Sequence, residues 1–265
     1  MVKLSATLLS AYGCCPLQPD NVTTGQRDNV TKEQPTSDRQ VLQPQKPMIT
    51  PLPFDSSLFG YAVGKCMVGE EWSQSDFLEA ARSFRLVYLF SEEPLPIENS
   101  PIQPIDLRLT YFKNLKRQNA NSAEIHSYAG TLTENLLNLA LESGVFSRFH
   151  TDPNFVNLEF EKLYQRWIEK ALTQHEVLLA KNQAGLVTCS IAEHDAQIGL
   201  IAVQKDQRGK GWGKKLIQAA ENFAIQKEAQ TMTIATQAAN LPASALYKSL
   251  GYQLIERKYI YHFWR

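Results

Sequence analysis

The chain has 265 residues, of which 43% are hydrophobic and 20% charged, and its 27 Lys and Arg cancel its 27 Asp and Glu. That length is ample for a real core, and the composition is that of a globular protein. The zero net charge gives no bulk electrostatic reason for a nucleic-acid or membrane-surface partner. No run approaches the ~20 apolar residues of a membrane span.

The opening Met1–Cys14 has one Lys, an apolar stretch broken by Ser5, Thr7 and Ser10, and Tyr12 where a leader peptidase needs small residues. It reads as no export leader, and the chain is expected to be cytoplasmic. From Gly13 to Pro53 there is no aromatic residue, and seven of the thirteen prolines fall here. Such a stretch buries too little apolar surface to offset its ordering entropy, so residues 1–49 are expected to be a disordered tail. Cys14, Cys15, Cys66 and Cys189 contain no CxxC pair and read as free thiols of a reducing compartment. The five histidines have no metal-ligand spacing, and no metal is expected.

Residues 50–121 read as a small α/β unit: a strand at Tyr61–Val68, a helix at Ser73–Ser83, a strand at Leu86–Phe90, a loop punctuated by Pro94, Pro96, Pro101 and Pro104, and a strand at Leu107–Phe112. Residues 122–265 form the larger unit. A strand at Ile125–Tyr128 precedes a capping box, Thr131-Leu-Thr-Glu134, that starts a helix to about Ser143. A loop from Gly144 to Pro153 leads to a helix over Leu158–Thr173, whose stripe is Phe160, Leu163, Tyr164, Trp167 and Ala171. Strands follow at Val177–Ala180, Gly185–Ile191 and Gln197–Val203. After them come a helix at Gly213–Glu228, a strand at Met232–Thr236, a helix at Pro242–Leu250 and an aromatic strand at Tyr252–Trp264.

The chemistry concentrates in Ile198-Gly-Leu-Ile-Ala-Val203 and the run Arg208-Gly-Lys-Gly-Trp-Gly213. A buried strand feeds a glycine-rich turn that opens a helix. Glycines let the backbone approach an anion, and the first helical amides point at it with the helix dipole behind them, so the ligand is a phosphate or pyrophosphate. Lys215 stands where a P-loop needs Ser or Thr, and Lys214 where a dinucleotide fingerprint needs Gly. After the next strand comes Asn240-Leu-Pro-Ala243-Ser-Ala-Leu246-Tyr247, ending at Gly251-Tyr252.

These two segments resemble the pyrophosphate-binding signature and the Asn-xxA-xxLY-xxxG segment of GNAT-superfamily N-acetyltransferases. The lead-in Gln204-Lys-Asp-Gln207 departs from that pattern in lacking a proline common there. Over residues 122–265 the chain is further similar to the dTDP-fucosamine acetyltransferases. The residues that carry this likeness are Ser147-Arg148-Phe149, Tyr164-x-x-Trp-Ile-Glu169, Ile198–Ala202, Ala235-Thr-Gln237, Asn240 and Tyr247.

The resemblance implies an α/β GNAT fold, a mixed central sheet flanked by helices, preceded by the small N-terminal subdomain and the tail. It implies acetyl-CoA as co-substrate, held by Leu200, Ile201, Ala202, Val203, Arg208, Gly209, Lys210, Gly211, Trp212, Gly213, Lys214 and Asn240, with Lys205 a further phosphate partner. Tyr247 would be the general acid, and Ser147, Arg148 and Phe149 would meet the substrate, a dTDP-linked amino-deoxy sugar for surface polysaccharide. The family likeness also suggests a homodimer. The base is left open among Glu193, Asp195, His150 and water. Two other readings share the cofactor motif: acetylation of protein amines, and non-catalytic acyl-CoA binding.

Overall fold

The computed structural model describes residues 48–69, 72–97, 100–116 and 124–265; the segment expected to be a tail, with Cys14 and Cys15, falls almost wholly outside them. The described strands form one ten-stranded mixed sheet in the order β1-β2-β3-β10-β4-β9-β8-β7-β6-β5. They are β1 (Ile49–Pro51), β2 (Val63–Met67), β3 (Leu86–Ser91), β4 (Ile102–Asn114), β5 (Ile125–Ser127), β6 (Val177–Ala180), β7 (Gly185–Ala192), β8 (Asp195–Val203), β9 (Thr231–Gln237) and β10 (Gln253–Trp264). Two pairs, β2 with β3 and β8 with β9, are parallel; the other pairs are antiparallel. The expected mixed sheet flanked by helices is what the chain forms.

The sheet runs without interruption from segment 50–121 into segment 122–265. β4 lies between β9 and β10 and is antiparallel to both, with Arg108 opposite Gln237 on one side and Lys258 on the other. β4 is also longer than its sequence suggests, because Pro104 lies inside it. Pro104 faces Tyr261 at a register shift of β10, and β9 pairs with β4 only from Arg108 onward. A proline is tolerated where one edge of its strand is unpaired.

Helices cover both faces: α1 (Pro53–Phe59), α2 (Gln74–Ala80), α3 (Glu134–Ser143), α4 (Arg148–Thr151), α5 (Glu159–Thr173), α6 (Trp212–Gln226) and α7 (Leu241–Ser249). Two were not anticipated. α1 begins at Pro53, whose missing N–H costs nothing in a first helical turn. α4 is one turn inside the expected Gly144–Pro153 loop, capped by Ser147. α3 is capped one residue from its start by Thr133, whose hydroxyl accepts from the Leu136 amide at 3.3 Å, so the capping box at Thr131 does not form.

On one face α3 and α5 bury Leu136, Leu139, Leu163, Tyr164, Trp167 and Ile168 against Tyr88, Phe90, Leu186, Leu200 and Ile260. The α5 stripe is as expected except that Ile168 joins it, while Phe160 is only partly buried and stacks on His150 at 4.9 Å. On the other face α6 and α7 bury Leu216, Ile217, Ala220 and Tyr247 against Tyr111, Val187, Ile198 and Ile234. Both described cysteines are buried and unbridged, and burial pushes the Cys66 thiol up to about 11 and that of Cys189 to about 12. Among the described residues no helix is long and apolar enough to cross a membrane.

Candidate active site

The parallel strands β8 and β9 pair from Asp195↔Thr231 to Ile198↔Ile234 and then part, although β8 continues to Val203 and β9 to Gln237. Beyond Ile198 the β8 edge that faces β9 has no strand partner, a row of backbone donors and acceptors open to an extended ligand.

A bulge decides which of these groups are free. Val187 pairs with Ile201 and Cys189 with Ile198, so Thr188 faces two β8 residues, Gly199 and Leu200. The Thr188 hydroxyl accepts from the Leu200 amide at 2.8 Å, and the Gln204 amide donates to Ala184 O. Both amides therefore point toward β7, as does that of Ala202 between them by strand alternation. The amides of Ile201 and Val203 point into the fork. Of the four residues expected to hold the cofactor by backbone, these two have their amides available, while Leu200 and Ala202 contribute side chains to the core.

Past β8 the chain makes a short 3-10 turn at Lys205–Gln207 and enters the glycine turn. Gly209 (φ +76°) and Gly211 (φ +81°) are left-handed, and a Cβ on either would meet nothing within 4 Å. Backbone conformation therefore demands these glycines, and the space above them is open. Gly211 caps α6, Trp212 opens it, and no acidic residue lies in its first turn. The first-turn amides, including those of Gly213 and Lys214, have no intrahelical acceptor. A Cβ on Gly213 would sit 3.0 Å from Leu246, so α6 and α7 meet closely there. Arg208 turns back, its Nε donating to Val203 O at 3.2 Å and its Nη2 to Glu142, which Lys205 approaches at 3.7 Å. Lys210 donates to Gln207 at 3.1 Å.

Asn240 caps α7, its side-chain oxygen accepting from Ala243 N at 3.3 Å. Tyr247, 3% exposed, packs edge-on to Tyr111 with centroids 5.6 Å apart. Tyr111 stands opposite Ile234, the β9 residue at the split, so Tyr247 lies under the fork on the α6/α7 face.

These features fit the residue range matched by a family model: residues 134–252 match the model described as "Acetyltransferase (GNAT) family". Over these residues the chain is similar to the GNAT acetyltransferases.

A Bacillus subtilis (strain 168) protein provisionally named as a ribosomal protein bS18-alanine N-acetyltransferase is 34% identical over 70 residues, 26% of this chain and 46% of that one. The spore coat polysaccharide biosynthesis protein SpsD of the same organism is 27% identical over 140 residues, 50% of this chain and 47% of its own. The chain thus spans about half the length of these curated relatives. A solved structure of a conserved Staphylococcus epidermidis ATCC 12228 protein of unknown function superposes with a TM-score of 0.55 at 12% identity, over 84% of this chain and 93% of that one; it speaks for the fold alone.

The fold treats the substrate-side residues differently from the cofactor-side ones. Ser147 caps α4, Phe149 lies in an aromatic core with Tyr88, Phe155 and Trp167, and Arg148 is 5% exposed. The base candidates also scatter. Glu193 and Asp195 lie at the paired end of β8, away from the fork, and Asp195 accepts from Thr231. His150 is exposed on α4.

A row of charge that sequence reading passed over lies on the α3/α5 face. Glu256 accepts from Thr110 Oγ1 at 2.9 Å and Arg108 Nη2 at 3.2 Å, and Lys258 Nζ lies 3.4 Å from it. Burial alone would raise the Glu256 carboxyl, but these partners hold it below its ordinary value. Burial pushes neighbouring Asp106 up to about 6, against the pull of Arg148 and Arg108. Their alternating spacing, Asp106-x-Arg108-x-Thr110 and Glu256-x-Lys258, was the one signal available: polar residues on one face of strands otherwise apolar. Beyond Ile260, His262 donates from Nδ1 to Asp152 at 2.6 Å, and Trp264 Nε1 donates to the same oxygen at 2.8 Å. Burial holds the His262 imidazole down at about 4, so it is neutral.

Proposed function

We propose that this chain transfers the acetyl group of acetyl-CoA directly to the amine of a nucleotide-linked amino-deoxy sugar, a dTDP sugar used for surface polysaccharide. The observation that carries the acetyl-CoA half is the fork itself, a parted parallel strand pair whose free edge leads straight into the left-handed Gly209–Gly211 turn and the bare N-terminus of α6. The residues fit the cofactor: open space above the turn for a pyrophosphate, exposed Lys205, Lys210 and Lys214 for its charge, and Ile201 and Val203 amides for an extended pantetheine arm. The sugar half is supported by the likeness to SpsD, whose name places it in spore coat polysaccharide biosynthesis.

The chemistry follows from the placement. The Ile201 amide, aimed into the fork, stabilises charge growing on the thioester carbonyl oxygen. The acceptor nitrogen bonds to the carbonyl carbon, the carbon–sulfur bond breaks, and the Tyr247 hydroxyl gives its proton to the departing sulfur. With a reference pKa near 10, tyrosine protonates a thiolate only when well aligned, so position under the fork matters more than acidity. The amine loses its proton to water or to a carboxylate of the charged row. We place the reaction in the cytoplasm, where acetyl-CoA is available.

Purified protein is incubated with acetyl-CoA and a panel of dTDP- and UDP-linked amino sugars, following free thiol and product mass. Acetylation of one of them, with kcat reduced about 10²-fold in Tyr247→Phe and acetyl-CoA binding unchanged, is the expected result. The likeness to the bS18-alanine enzyme favours a second reading, acetylation of a protein amine. Turnover on a ribosomal-protein N-terminal peptide and on no sugar nucleotide would put that reading first. Acetyl-CoA binding without turnover on either would leave a regulator.

A further inference from the structure

We propose that Arg148, Arg108 and Lys258 form a seat for an anionic group of the acceptor, and that the group it takes is the diphosphate of the sugar nucleotide. This rests on the sugar-nucleotide reading above and adds to it the part of the protein that would recognise the nucleotide.

Arg148 is the anomaly that points there. It is 5% exposed, makes no ion pair within 4 Å among the described residues, and has Nε and Nη2 without a hydrogen-bond partner among them. A buried guanidinium left so is expensive unless something completes it. Its faces are already taken: the guanidinium carbon lies 4.4 Å from the Phe149 ring centroid, 5.0 Å from Tyr88 and 5.7 Å from Phe90. What remains is its edge, the planar fork of N–H donors that matches two oxygens of a phosphate or carboxylate.

The neighbouring strands extend the seat. α4, which carries Arg148, packs on β4, and Asp106 on that strand feels both Arg148 and Arg108. Arg108, 7% exposed, spends Nη2 on Glu256 and leaves Nε without a partner. Lys258 is opposite Arg108 in the sheet, its side chain 8% exposed, between Glu256 and the exposed Glu92. Three cations thus share this face with the acids Glu256, Asp106 and Glu92, and the unpartnered Nε of Arg108 and edge of Arg148 are what remain open among them.

The location suits an acceptor. Arg108 stands opposite Gln237, three residues along β9 from Ile234 where the strands part, a distance of about 10 Å. That leaves room for one sugar ring between an amine at the fork and an anion at Arg108. The row lies on the α3/α5 face and Tyr247 on the other, so acceptor and proton donor approach the fork from opposite sides. The glycine turn, which serves the coenzyme's own phosphates, is a separate place at the end of β8.

The test uses the full chain saturated with CoA, so that the glycine turn is filled, titrated with dTDP by calorimetry. Micromolar binding is expected, weakened about 10- to 100-fold in Arg148→Gln and Arg108→Gln, with CoA affinity unchanged. Arg148→Lys should recover only part, because an ammonium lacks the planar fork. Lys258→Gln, outside the aromatic box, guards against misfolding and should weaken dTDP by about 5-fold. Variants that bind CoA and dTDP like the parent, and still acetylate a sugar nucleotide, would leave the sugar reading standing and reduce Arg148 to a structural strut, overturning the seat. A parent that ignores dTDP but binds glycylglycine, and not its C-terminal amide, through Arg148 would keep an anion seat for a carboxylate and overturn the nucleotide. A parent that binds neither anion overturns the proposal outright.

Discussion

Glu176 shows how a single buried group sets a pH dependence in this molecule. One carboxylate oxygen has no hydrogen-bond partner among the described residues, and burial raises the group to about 7 against the pull of Lys170. A folded-state value above the unfolded one means that the contribution is fully present below about 4.5 and is lost as pH rises through about 7. Glu176→Gln should therefore raise the melting temperature at pH 8 and change it little at pH 4, read by thermal denaturation at the two pH values. His262 works in the opposite sense. Its folded value of about 4 lies below the ordinary imidazole value of 6.5, so the stability it supports is present above 6.5 and falls as pH drops toward 4. The acid limb between those values should flatten in His262→Gln, measured in the same way.

At the scale of an element, β8 and the turn behind it do the positioning. Without its bulge, β8 would present a different set of amides to the fork, and Thr188 is what holds the bulge. Thr188→Val removes the acceptor of a buried amide at nearly constant volume. It should cost about 1–3 kcal/mol in urea unfolding and lower kcat more than it raises the acetyl-CoA KM. In the turn, Gly211 has open space where a side chain would go, so Gly211→Ala tests backbone conformation alone. A left-handed alanine costs about 1–2 kcal/mol, and acetyl-CoA affinity should fall by up to about tenfold by calorimetry while the fold survives.

At the scale of the whole molecule, segments 50–121 and 122–265 share one sheet through β4. β4 is the only described strand that links β9 to β10, and it carries Arg108 and Thr110 to the mouth of the fork. A segment comprising residues 122–265 alone would leave β9 with a bare edge and β10 with neither of its partners. It should lack a cooperative thermal transition by calorimetry, whereas a chain beginning at residue 48 should keep one. Co-expression of the missing segment should restore the transition if the sheet is the reason.

Sequence alone determined what is local. The α5 stripe, the Asn240–Gly251 segment and the Gly209–Gly211 turn depend on spacings within a few residues, and the glycines announce their left-handed backbone by type. Tyr247 was legible as a candidate because it lies nearly two helical turns beyond Asn240. The tertiary structure decided everything that depends on distant partners. Hydrogen bonding between Arg108 and Glu256 crosses 148 positions of chain, and the insertion of β4 beside β9 has no local signature. The direction of the Leu200 amide hung on a hydroxyl twelve residues away across a hairpin. Arg148, by type a surface residue, was drawn into an aromatic box by burial of its neighbours. Local propensity acts through neighbours in sequence, and a site assembled across a sheet is made of neighbours in space.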